Sequence, residues 1–129
     1  MKRSPDELVA RARTRIDRVT PEELADVMAA GGLIVDIRPV HQRREDGELP
    51  GAVVIDRNVL EWRLQPGGEF SLPVVQDHAQ RIVIVCNEGY ASSLAAATLT
   101  DMGFERAADL AGGYRAWRAW AGSLPEHRT

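Results

Sequence analysis

The sequence predicts a single α/β domain: a small parallel sheet with helices on both faces, and a functional loop between the central strand and the helix that follows it. Three observations carry that prediction. Leu33-Ile34-Val35-Asp36-Ile37, Ala52-Val53-Val54-Ile55 and Arg81-Ile82-Val83-Ile84-Val85 are short, β-branched and nearly continuous in apolar character, the pattern of strands buried on both faces. Helical stretches lie between them, and strands alternating with helices make a parallel sheet. The chain has 129 residues, 44% hydrophobic and 27% charged, enough for one core and too few for two.

The elements follow in order. Ser4-Pro5-Asp6-Glu7 opens a first helix with a hydroxyl cap, a proline in the first turn and a glutamate three residues on. Leu8, Val9, Ala12 and Ile16 share one side of it, so it is expected to pack across the domain surface. Thr20-Pro21-Glu22-Glu23 repeats the cap and starts a second helix through Leu24, Val27 and Met28. Gly31-Gly32 ends that helix, because glycine accepts the left-handed conformation that closes helices. Val40 to Asp46 and Asn58 to Leu64 read as helices on either side of the Ala52–Ile55 strand. Gln65 to Ala79, with Pro66, Gly67, Gly68 and Pro73, is the one long irregular connection. Beyond the third strand come a helix from Ser92 to Met102, a short strand from Ala107 to Leu110 and a last helix from Tyr114 to Ala121. The division expected is an N-terminal helical extension over 1–19, the main domain over 20–122 and a loose tail over 123–129.

Cys86 closes the third apolar strand, and Asn87-Glu88-Gly89-Tyr90-Ala91 leads directly into the helix at Ser92. Ligands of open α/β folds bind at the carboxyl ends of parallel strands. A loop that curls from strand to helix points successive N–H groups at its centre and forms an anion-binding nest. The helix dipole adds roughly 0.3 to 2 kcal/mol for a nearby anion. Both effects favour a thiolate, the reactive form of cysteine. Gly89 suits the unusual dihedral that so tight a loop needs. A buried strand-end cysteine is also a common small hydrophobe, and position by itself leaves both readings open.

Val35-Asp36-Ile37-Arg38, followed by Glu48-Leu49-Pro50-Gly51-Ala52, resembles the rhodanese signature of Asp-x-Arg and then Ile-Pro-Gly-Ala. Cys86-Asn87-Glu88-Gly89 resembles that family's Cys-x-x-Gly active-site loop. Gly112-Gly113-Tyr114-Arg115-Ala116-Trp117 matches its closing Gly-Gly-x-x-Ala-Trp element. The three motifs come in the family's order and cover about Thr20 to Trp120. Beside the resemblance, each motif has a reading of its own. Asp36 is expected to cap neighbouring N–H groups and Arg38 to pair with an acid. Pro50-Gly51 turns the chain into the next strand, Gly112-Gly113 lets it pass close to the active loop, and Trp117 is expected to fill core.

The resemblance implies a rhodanese-like fold and a single-domain sulfurtransferase with Cys86 as catalytic nucleophile. A sulfane sulfur would move from a small donor of the thiosulfate or 3-mercaptopyruvate class to Cys86 as a persulfide, then to a thiol or cyanide acceptor. Asn87, Glu88, Gly89, Tyr90, Ala91 and Ser92 form the implied substrate-binding loop, with the N–H groups of Glu88 through Ser92 on the anionic sulfur. Arg57 and Arg63 are the candidates for holding an anionic donor. No metal and no organic cofactor is implied. The alternative is a rhodanese-like module for binding or regulation, or a persulfide carrier fed by a protein donor, with the arginine-bearing first helix as docking surface.

The loop departs from the family pattern in two places. Glu88 stands where many members carry arginine or lysine. A carboxylate about 8 Å from the sulfur would cost an anion there about 2 kcal/mol at an effective dielectric of roughly 20. Related phosphatases and arsenate reductases use Cys-x5-Arg, whose arginine forks onto an oxyanion; the loop is read as carrying Ala91 in that arginine's place, with Ser92 after it, which disfavours phosphoryl transfer.

Other classes fit poorly. A net charge of −3 gives no basic field for nucleic acid. No apolar run reaches the ~18 to 20 residues of a membrane span, and the first seven residues turn acidic before any signal core. One cysteine allows no internal disulfide, and the compartment predicted is the cytoplasm. His41, His78 and His127 lack metal-ligand spacing. Glu88→Lys is expected to raise thiosulfate turnover by electrostatic steering and by favouring the Cys86 thiolate. No gain, or a loss, would mean that Glu88 faces away from the donor or serves a different one.

Overall fold

Two proline-containing capping boxes start the first two helices. In the computed structural model, which describes residues 1–125, Ser4 caps α1 (Pro5–Arg13) and Thr20 caps α2 (Pro21–Ala29). In each box the hydroxyl accepts the N–H of the glutamate three residues on, and that carboxylate reaches back to the cap's own N–H. Between the two helices runs β1 (Asp17–Val19), which the sequence reading did not anticipate. Its Asp-Arg-Val sequence lacks an apolar run because it is an edge strand with only Val19 buried.

The chain continues through β2 (Leu33–Asp36), α3 (Val40–Asp46) and β3 (Val53–Val54), then α4 (Leu60–Leu64), which extends a short turn at Arg57–Val59. After the irregular connection come β4 (Ile82–Val85), α5 (Ala91–Asp101), β5 (Ala107–Leu110) and α6 (Gly113–Ser123). All five strands are parallel, in the order β1-β5-β4-β2-β3. The three inner strands are buried at every position, which explains their unbroken apolar runs. Ala52–Ile55 was expected to be a third strand of that kind. Instead β3 is two residues long and only half covered, because it lies at the open edge of the sheet and has no outer neighbour. Of the expected tail, Ser123 belongs to α6, and residues 126–129, with His127, lie outside the described residues.

Side chains alternate between two cores, one on each face of the sheet. Val35, Ile82 and Ile84 join Leu60 and Leu64 of α4 and Ala95, Ala96 and Leu99 of α5. Ile34, Val83 and Val85 join Leu24 of α2 and Tyr114 of α6. Trp117 was expected in the core but is only partly buried against this second cluster, its ring tilted 44° to that of Tyr114 with centroids 5.6 Å apart. Helix α1 lies outside this arrangement and packs on α5. No helix among the described residues is long and apolar enough to cross a membrane.

The chain leaves β2 toward one edge of the sheet and β4 toward the other. The carboxyl ends of these two neighbours therefore bound a crevice, the usual ligand position in such sheets. Its β2 side is fixed by a buried ion pair. Arg38 donates from Nε and Nη2 to the Asp36 carboxylate at 2.8 to 3.1 Å, and both side chains are fully enclosed. Asp36 also accepts the Arg38 backbone N–H at 2.9 Å, as the sequence suggested. The guanidinium donates to the Gly47 carbonyl at 2.9 Å and lies 3.9 Å above the Tyr114 ring, which ties α6 to the loop after β2. Removing one member of such a pair leaves a buried charge uncompensated. Asp36→Ala is therefore expected to lower unfolding free energy by about 3 to 5 kcal/mol in urea titrations, whereas Asp36→Leu combined with Arg38→Met should recover most of it.

Candidate active site

Cys86 follows β4 directly and is 8% exposed at the base of the crevice. Its Sγ accepts two backbone N–H groups, from Gly89 at 3.2 Å and from Ser92 at 3.3 Å. Ser92 is the second residue of α5, so its N–H is one of the donors a helix start leaves unpaired. The sulfur thus sits at the positive end of that helix. Of the N–H groups expected on the sulfur, Glu88 through Ser92, those of Gly89 and Ser92 are the ones that bond it.

The loop holds this shape because its carbonyls are occupied elsewhere. The N–H groups of Tyr114 and Arg115 in the first turn of α6 donate to the carbonyls of Cys86 and Asn87 at 2.8 and 3.1 Å. That approach needs glycine at the turn. A Cβ on Gly113 would come within 2.6 Å of the Asn87 and Glu88 backbone, and one on Gly89 within 2.9 Å of the Gly112 nitrogen. Both glycines also have positive φ, +67° and +89°, a region that side-chain-bearing residues avoid.

A cavity of about 370 Å³ opens above the sulfur, bounded by Ile37, Arg38 and Pro39 after β2 and by the Cys86 loop. Asn87 lines it and donates from Nδ2 to Asp46 at 3.1 Å. That bond, backed by Arg115 and Arg118, holds the Asp46 carboxyl below the usual carboxylate range. Tyr90 is 55% exposed at the lip, and Ala91 lines the wall. The Glu88 side chain is 60% exposed and pairs with Arg115 at 3.4 Å. It points outward beside a cation, so its cost to an anion at the sulfur is largely screened.

The two arginine candidates separate. Arg57 lines the cavity, with its Nη1 on both carboxylate oxygens of Glu61 at 3.0 Å. Arg63 does not reach the cavity. Six residues further on, at the far end of α4, it donates to the Phe70 carbonyl at 3.0 Å and lines a different hollow with Val59 and Trp62. Ser92 also departs from the expectation in one respect. Its side chain is buried and donates to Asp109 at 2.8 Å, which leaves only its N–H for the sulfur. His41 is exposed on α3 and His78 packs on Phe104. Among the described residues no cluster of His, Cys, Asp and Glu is arranged to hold a metal ion.

Several residues around the loop escaped the sequence reading. Asp109 is fully buried and accepts from Ser92, Ser93 and Arg18; a carboxylate within a wholly buried strand was the available signal. Arg13 and Arg18 both donate to the Gly89 carbonyl, at 2.8 and 3.0 Å. In the sequence they look like any other arginine of a solvated helix face.

Comparison with known proteins agrees with this geometry. The rhodanese-like domain profile matches residues 20–119. The chain is 32% identical over 114 residues to the thiosulfate sulfurtransferase GlpE of Stutzerimonas stutzeri, covering 88% of this chain and 95% of that one. Among solved structures, a Rhodopseudomonas palustris protein of unknown function, described as a possible tyrosine phosphatase, superposes with a TM-score of 0.83 at 31% identity over 96% of both chains. The human single-domain sulfurtransferase TSTD1 superposes with a TM-score of 0.64 at 25% identity, over 79% of this chain and 95% of that one. The chain belongs to the rhodanese-like domain family.

Gly113→Ala tests the backbone contact between α6 and the loop. It is expected to destabilise the fold by about 1 to 3 kcal/mol and to slow iodoacetamide labelling of Cys86 in the folded protein. Labelling at the wild-type rate would show that the loop does not depend on this contact.

Proposed function

For this rhodanese-family chain we propose sulfur transfer through a persulfide on Cys86. The observation that carries the proposal is the pair of N–H donors on Sγ at the crevice between β2 and β4. Cys86 thiolate attacks the outer sulfur of a donor such as thiosulfate, forming the Sγ–S bond as the donor S–S bond breaks and sulfite leaves with the bonding electrons. With 3-mercaptopyruvate the C–S bond breaks and pyruvate leaves after protonation. A thiolate or cyanide then attacks the outer persulfide sulfur, and Cys86 thiolate is released. The Cys86 thiolate that begins the first half-reaction and the one released in the second carry their charge at the base of the loop, where the N–H groups of Gly89 and Ser92 are already oriented and pay no reorganisation cost. The reaction uses no metal or organic cofactor.

The similarity to thiosulfate sulfurtransferases supports this reading. Counted from Cys86, the place where phosphatase chemistry needs an arginine fork is that of Ser92 and not of Ala91 as expected, and Ser92 is tied to Asp109. That argues against a phosphatase. The second reading is a persulfide carrier charged by a protein donor, and the charge balance of the cavity favours it. Arg38 and Arg57 are both already paired with carboxylates, so a dianionic donor meets no surplus positive charge.

Intact mass measurement after incubation with thiosulfate or 3-mercaptopyruvate decides between them. Wild type should gain one sulfur atom, Cys86→Ser should gain none, and steady-state transfer by that variant should fall to background with its thermal melt unchanged. Turnover that survives the substitution would overturn the mechanism. Uptake from neither small donor would favour the carrier.

A further inference from the structure

A carbonyl turned toward the sulfur would repel an anion there, so the loop's carbonyls must be held elsewhere. The first turn of α6 holds the Cys86 and Asn87 carbonyls. The Gly89 carbonyl belongs to the residue with the greatest backbone freedom, and side chains hold it. Two arginines hold it, Arg13 from the end of α1 and Arg18 from β1, each through Nη2 at 2.8 and 3.0 Å, with the Ser93 hydroxyl a longer third donor at 3.3 Å. Arg13 also donates from Nε to Ser93 Oγ at 3.1 Å and lies 5.5 Å from the Tyr90 ring centre. Arg18 is anchored on Asp109 at 2.9 and 3.3 Å, and that carboxylate accepts the hydroxyls of Ser92 and Ser93 at 2.8 Å each. One network therefore grips both residues that donate to the sulfur, Gly89 and Ser92.

We propose that Arg13 and Arg18, which both precede the family-matched residues 20–119, are positioning residues of the Cys86 site. They hold the Gly89 carbonyl outward and so keep the loop's N–H groups on sulfur. The proposal rests on the sulfur-transfer reading of Cys86, and it makes the N-terminal segment a working part of the site. Charged donors to a carbonyl form strong hydrogen bonds, and the guanidinium fork of Arg13 meets two acceptors at once. Lysine brings the same charge without the fork.

The test compares full-length wild type with Arg13→Met, Arg13→Lys and Ser93→Ala. Arg13→Met is expected to lower kcat for thiosulfate by about tenfold with KM within about twofold of wild type, the pattern of a lost transition-state interaction. Iodoacetamide labelling of Cys86 should slow in parallel, and Arg13→Lys should restore neither. Ser93→Ala, which removes one of the two Arg13 acceptors together with the hydroxyl's own bonds to the Gly89 carbonyl and Asp109, should show a loss of the same kind and serves as a test of the whole network if Arg13→Met does not fold. Wild-type kcat and labelling in these variants would overturn the proposal. So would a change confined to KM, which would make Arg13 a donor-binding group, or full restoration by lysine, which would reduce its role to charge. Labelling does not require sulfur transfer. If wild type takes up no sulfur, the functional reading fails while the labelling series still decides the role of Arg13. If wild type takes up sulfur and the variants match it, only the positioning role fails.

Discussion

An anion at the base of a loop requires the surrounding peptides to present their hydrogens and withdraw their oxygens. Much of the architecture around Cys86 answers that requirement. The N-terminus of α5 brings the Ser92 N–H to the sulfur. The first turn of α6 draws two loop carbonyls away, and this is possible only because Gly113 lies against the Asn87 backbone. The Gly89 carbonyl is drawn away by arginines from the other end of the chain. Fixed dipoles of this kind help most where charge develops during a reaction, since they need no rearrangement at that moment.

Charge around the cavity is balanced nearly pair by pair. Arg38 faces Asp36, Arg57 faces Glu61, and Glu88 faces Arg115. The pairs differ in kind. Asp36 and Arg38 are wholly enclosed and fix the geometry of the β2 side. The other two are partly exposed and held by weak interactions that solvent and salt reduce.

Both edges of the sheet are short, two residues in β3 and three in β1. They were the elements least readable from composition. A strand with one neighbour buries fewer side chains, so polar residues persist in β1, and the apolar Ala52–Ile55 run overstates the length of β3. The inner strands and the helix caps were readable because each depends on residues adjacent in sequence. The hydroxyl of Thr20 and the carboxylate of Glu23 are three residues apart, and the burial of Ile82 through Val85 shows directly in their side chains.

The same distinction governs the site. Cys86, its strand, the glycine in its loop and the helix start at its end are neighbours along the chain, and by itself the sequence determined that they adjoin at the carboxyl end of a buried strand. It also marked the Gly112-Gly113 turn, since few other residues tolerate that backbone. Only the tertiary structure decided which charged side chains reach the nest. Arg57 arrives and Arg63 does not, although both sit on the same short segment. Arg13 and Arg18 come from more than 70 positions away to hold Gly89. An arginine's long flexible side chain carries no trace in the sequence of the partner it will find. Local backbone chemistry is written in adjacent residues, whereas the pairing of distant charges depends on how the packed elements bring them together.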